Sequence, residues 1–75
     1  MESLKDLKQG EWGIVEKINS VGDIYRRFLD IGLIEGTRVM CVTESPSGDP
    51  KAFLIRGAVI AIRLSDCATI AIRRL

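Results

Sequence analysis

Between Val21 and Ile31 the apolar positions recur with the period of a helix. Val21, Ile24, Phe28 and Ile31 share one face, while Asp23, Arg26, Arg27 and Asp30 fall on the other. The spacing predicts a short, half-buried helix. Ser20 and Asp23, three residues apart, form a loose capping box at its start. At its far end Gly32 supplies the left-handed residue that closes a helix, and Leu33 is placed to fold back on Phe28 as the apolar contact of a Schellman cap. Ile34-Glu35-Gly36-Thr37 then has glycine at the third position of a type II turn, so a strand should begin at once.

Elsewhere the period is two. Trp12 to Ile18 reads as a first strand after a turn at Gln9-Gly10, with Val15 and Gly13 inward and Leu4 and Leu7 pinning the segment before it. Val39, Cys41 and Thr43 alternate with Arg38, Met40, Val42 and Glu44 in a second strand, which ends at Ser45-Pro46-Ser47-Gly48-Asp49-Pro50. That cluster of turn formers predicts an exposed hairpin loop. Ala52 to Ile55 is a third strand, and Arg56-Gly57 breaks the pattern before Ala58 to Arg63 resumes it with Ile60 and Ile62 on one side. A single helical turn at Ser65 to Ala68 leads into a last strand, Thr69 to Arg73, with Ile70 and Ile72 inward. Five short strands and one short inserted α-helix cannot bury a flat sheet on both faces. The fold class is therefore mainly β, a small SH3-like five-stranded antiparallel barrel, with Gly13, Gly36 and Gly57 suited to its bends.

The chain has 75 residues, enough for one domain over residues 1–75 that buries about 60% of its unfolded surface. With 47% hydrophobic and 28% charged residues it has the composition of a soluble globular protein. No apolar run reaches the roughly 18 to 20 residues of a membrane span and the N-terminus lacks a signal-peptide pattern, so a cytoplasmic protein with no membrane insertion is expected. A net charge of +1 and few stacking aromatics argue against a nucleic-acid partner.

Candidate chemistry is sparse. There is no histidine, no phosphate-binding loop and no acid–base constellation, so no enzymatic activity is expected. Cys41 and Cys67 are too few for a thiolate zinc site and read as core fillers, a disulfide being the alternative that a reducing compartment disfavours. Glu44, Asp49 and Asp66 are the acids that a weakly held divalent ion would use, although loop acids mostly serve turn geometry. No other cofactor is expected. Arg26 and Arg27 have two readings: a solvated face, each pairing with an aspartate four residues away, or a contact for an acidic partner. Trp12 and Tyr25 are too large for a small barrel to bury both, which leaves one of them as an interface anchor.

Taken in order, Leu4, Leu7, Gly10, Val15, Ile18, the Arg26-Arg27 run, Gly32-Leu33, Gly36, Val39, Pro46, Gly48, Asp49, Pro50, Ile60, Arg63, Asp66 and Ile70 resemble the FeoA family over nearly the whole chain. That family is the small cytosolic component of bacterial ferrous iron uptake. Phe28, Ile31, Glu35 and Cys67 depart from its usual leucine, methionine, proline and alanine, each tolerable at a core or turn position. The resemblance implies an accessory protein of ferrous iron transport that binds the cytosolic part of the transporter FeoB. Its expected contacts are Arg26, Arg27, Gly32, Leu33, the loop residues Pro46, Gly48, Asp49 and Pro50, and Trp12 and Tyr25. The same fold is similar to the C-terminal domain of diphtheria-toxin-repressor-type metal regulators, and a metal-responsive adaptor acting on a transcription regulator is the alternative.

Overall fold

The computed structural model describes residues 2–75. Its elements are β1 (Glu2–Ser3), a 3-10 turn (Leu4–Asp6), β2 (Trp12–Ile18), α1 (Gly22–Asp30), β3 (Arg38–Glu44), β4 (Lys51–Ile55), β5 (Ala58–Ile62), α2 (Leu64–Cys67) and β6 (Ile70–Arg74). One antiparallel sheet in the order β1-β6-β2-β3-β4-β5 contains every strand. The architecture is the expected SH3-like one, with two corrections. Glu2 and Ser3 add a sixth strand by pairing with Ile72 and Ala71, a bridge too short to leave a pattern in sequence. The barrel is also left open, because β1 and β5 are the sheet's two edges and no ladder joins them among the described residues.

Alternation decides what the sheet buries. Val15, Val39, Cys41, Phe53, Ile55, Ile70 and Ile72 point into one core, which Leu4, Leu7, Phe28 and Leu33 complete from the connecting segments. Gly13 is part of that close packing. A Cβ there would lie 2.9 Å from Ile72 Cδ1 and 3.3 Å from the Arg73 carbonyl oxygen, so β2 and β6 approach closely over a position where any side chain must push its neighbours aside.

α1 keeps Phe28 buried and Ile24 and Ile31 half-buried, as the helical period requires. Val21 does not join them. It is the N-cap residue with extended backbone, before the helical turn begins, and is 80% exposed. Ser20 does not cap the helix either: its hydroxyl is buried against that of Thr69, 49 residues away. Thr69 Oγ1 donates to the Asp66 carbonyl, which leaves Ser20 as donor in that pair. A long-range bond has displaced a local cap.

The other end of α1 forms the expected motif. Leu33 N donates to the Phe28 carbonyl at 2.8 Å and Gly32 N to that of Leu29 at 3.0 Å, with Gly32 at φ +81°. These two bonds define a Schellman cap, and buried Leu33 and Phe28 are its apolar contact. Thr37 N donates to the Ile34 carbonyl across the next turn, while Gly36 N and Val15 N bond the Val15 and Thr37 carbonyls. The helix–strand junction is thereby sewn to β2.

Candidate interaction surface

The amphipathic α1 lies beside the edge strand β5, and the space between them is a groove of about 420 Å³. Ile24 and Ile31 form its helix wall, Ile60 and Ala61 its strand wall, and Arg27 and Arg63 contribute guanidinium groups to its lining. Arg56 holds the two walls in place. It sits at φ 49° in the two-residue turn between β4 and β5, and its Nε donates to the Gly32 carbonyl at 2.8 Å. The hairpin is thus tied to the cap of the helix.

The residues singled out from sequence do not form one patch. Arg26 and Arg27 are exposed, and Arg27 lines the groove. Neither pairs with Asp23 or Asp30, since the ion pairs among the described residues are Lys51–Glu44, Arg74–Glu2 and Arg74–Glu11. The few tenths of a kcal/mol in a surface helix pair do not hold two mobile side chains together. Leu33 is fully buried and belongs to the core rather than to a contact surface. Gly32 lies under Arg56, whose Cδ would be 2.6 Å from an added Cβ.

In the loop, Pro46 is exposed and Gly48 half-buried, whereas Asp49 has a structural role: its Oδ1 accepts from Leu64 N at 3.0 Å and starts α2. Pro50 reaches the groove. Tyr25, 38% exposed, lines a separate shallow depression with Ile18, Ile34 and Glu35. Trp12, 41% exposed, lies in another with Arg38, Arg74 and Leu75. Of the partner-contact candidates among the described residues, Arg27 and Pro50 meet in the groove, beside Asp66.

Two residues that organise the surface carried no sequence signal. Lys51 is buried, its Nζ donating to the Lys5 and Leu7 carbonyls at 2.7 Å each and lying 3.3 Å from Glu44 Oε1. Arg74 reaches Glu2, Glu11 and the Asp6 carbonyl. Each satisfies groups far away in sequence, which no local pattern records.

The acids proposed for a cation are used separately, Glu44 by Lys51 and Asp49 by α2. Among the described residues no three of His, Cys, Asp and Glu come together. Cys41 and Cys67 are free and buried. Burial pushes both thiols up, Cys67 to about 12, so neither offers a free thiolate near neutrality. The Ser3 backbone N–H donates to Asp6 at 2.9 Å and holds that carboxyl below its ordinary range. Isoleucine walls and unpaired guanidinium groups give the groove the chemistry of a binding surface.

Residues 2–74 match the family model described as the FeoA domain. Among solved structures, the chain is similar to the FeoA protein of Chlorobium tepidum, at 26% identity over 99% of this chain and 70% of that one, with a TM-score of 0.92. It is also similar to the FeoA-like protein of Clostridium acetobutylicum, at 26% identity, 97% and 85% coverage and a TM-score of 0.88. A third is the zinc complex of Stenotrophomonas maltophilia FeoA, described as an SH3 domain protein, at 22% identity, 97% and 91% coverage and a TM-score of 0.86. None of the curated proteins compared with the chain matches it.

Proposed function

The chain belongs to the FeoA family, and from that membership we propose that it is a non-enzymatic accessory protein of ferrous iron transport, binding the cytosolic part of the FeoB transporter and modulating it. The supporting observation is a family match over residues 2–74, on a fold whose accessible chemistry is a charged helix face carrying Arg26 and Arg27 and a groove with isoleucine walls and a guanidinium lining. Such a surface fits docking onto a protein. A cytoplasmic position follows from the partner, and among the described residues no helix is long and apolar enough to cross a membrane. Within this reading Arg26 and Arg27 meet acidic groups of the transporter domain, acting mainly on association rate and specificity. Gly32 and Leu33 shape the surface from beneath, Pro50 borders the groove, and Pro46, Gly48 and Asp49 lie in the adjoining loop.

The test is capture of the cognate transporter's cytosolic domain by the wild-type protein and by Arg26→Glu/Arg27→Glu. Loss of capture supports the helix face, and unchanged capture removes it. A second reading, a metal-responsive adaptor acting on a transcription regulator, draws on the zinc held by the Stenotrophomonas relative. The separation of Glu44, Asp49 and Asp66 weighs against direct sensing by those acids. Titration with ferrous or manganous ion, followed by amide shifts, tests it: a saturable shift at micromolar metal favours the adaptor, and its absence favours the transporter module.

A further inference from the structure

β5 is bonded on one side only. Its five residues, Ala58-Val59-Ile60-Ala61-Ile62, contain no charge and no proline, and its ladder with β4 has no bulge. Edge strands usually carry one of these features to prevent pairing with another chain. The two-residue turn at Arg56-Gly57, with φ 49° and 83°, is of the primed type that makes the flanking Ile55 and Ala58 a hydrogen-bonded pair. Alternation then directs Ile60 and Ile62 to β4 and turns the N–H and C=O of Val59 and Ala61 outward. Both residues are exposed, and no strand or loop among the described residues bonds them from that side.

Two donors and two acceptors, spaced two residues apart along a free edge, match one ligand geometry: another extended backbone. Alternate side chains of such a strand would drop into the groove between Ile60 and the α1 residues Ile24 and Ile31. Charge decides what kind of strand it is. Arg27 and Arg63 line the groove, neither is in an ion pair among the described residues, and Asp66 is the only acid in that lining. A second copy would bring to this lining no acid other than its own Asp66, whereas an acidic segment neutralises both guanidinium groups.

We infer that the free edge of β5 and the groove beside α1 form a strand-addition site for an extended segment of a partner protein, apolar at alternate residues and acidic at its flanks. The site rests on the accessory-protein reading only for the identity of its partner. Its hydrogen-bond parity stands apart from that reading.

The experiment uses a seven-residue acetylated probe with glutamate at both ends and valine alternating with threonine between them. In the free protein the Val59 and Ala61 amides are expected to exchange rapidly and those of Ile60 and Ile62 to be protected. Saturation with the probe is expected to slow Val59 and Ala61 at least tenfold. Val59→Pro removes one outward N–H and leaves the β4 ladder intact, and is expected to weaken the probe about tenfold, as is Arg27→Glu/Arg63→Glu. A probe ending in lysine should not bind. Unprotected Val59 and Ala61 at saturation, no probe binding at millimolar concentration, equal affinity for a normally melting Val59→Pro, or a wild-type dimer paired through β5 in solution would each overturn the inference. If the transporter domain is captured equally by wild type and Val59→Pro, the accessory reading stands and the strand site fails. If the domain is not captured but the probe protects both amides, the reverse holds.

Discussion

Replacing Lys51 with methionine keeps the apolar stem and deletes the ammonium group. Nζ donates to two main-chain carbonyls at 2.7 Å, and the side chain is 9% exposed. Two charge-assisted bonds contribute about 1.5–3 kcal/mol each, and the Leu7 carbonyl left buried without a donor costs about 1–3 kcal/mol. Relief from burying a cation offsets part of this loss, so a net destabilisation of about 2–4 kcal/mol is expected. Against a total of about 4–11 kcal/mol for 75 residues, that is a large fraction. Urea denaturation should show a lower midpoint at unchanged slope, and the thermal midpoint should fall by roughly 10–25 °C. Glu44→Gln is the control, because this half-exposed partner at 3.3 Å should contribute only about 0–1 kcal/mol. A Lys51→Met change within about 0.5 kcal/mol, or a larger loss from Glu44→Gln, would refute the assignment.

Further outcomes concern Gly32 and Cys67. Gly32→Ala must adopt a left-handed conformation and displace Arg56 from the helix cap, so it should cost more than the roughly 1–2 kcal/mol of the backbone alone, read by chemical denaturation. The Cys67 thiol should resist a soluble disulfide reagent until the protein unfolds, and alkali should destabilise the fold. The unfolded thiol releases its proton near 9.0 and the folded one near 12, so above pH 9 the unfolded state binds fewer protons and stability falls as pH rises. A Cys67→Ala variant should lose that part of the alkaline slope.

Local physics made much of this molecule readable. The cap at Gly32-Leu33, the turn at Gly36, the break at Arg56-Gly57 and the alternation of Ile70 with Ile72 depend on neighbours within a few residues. Partners far along the chain account for the differences. Ser20 had a plausible local role as a cap, but Thr69 offered its hydroxyl a buried partner. Val21 fits the helical period, yet the chain is still extended there. Nothing in the neighbourhood of Lys51 marks it for burial, and only the carbonyls of Lys5 and Leu7 folded over it make a buried cation tenable. For the interaction surface, sequence identified Arg27 and Pro50. It could not show that Leu33 turns inward, or that a strand edge would lie open beside them.

Gly13 constrains how this sheet can vary. Its neighbours Trp12 and Ile14 are too bulky for the narrow slot against Ile72 and the Arg73 carbonyl, so sliding β2 by a single residue would drive one of them into the opposing main chain. Alignment of β2 with β6 is thus favoured by exclusion, at the one site in these two strands where a side chain is missing. Surface residues along β2 are free to diverge around that notch, whereas a side chain at the notch itself has to displace the Ile72 methyl and the Arg73 carbonyl.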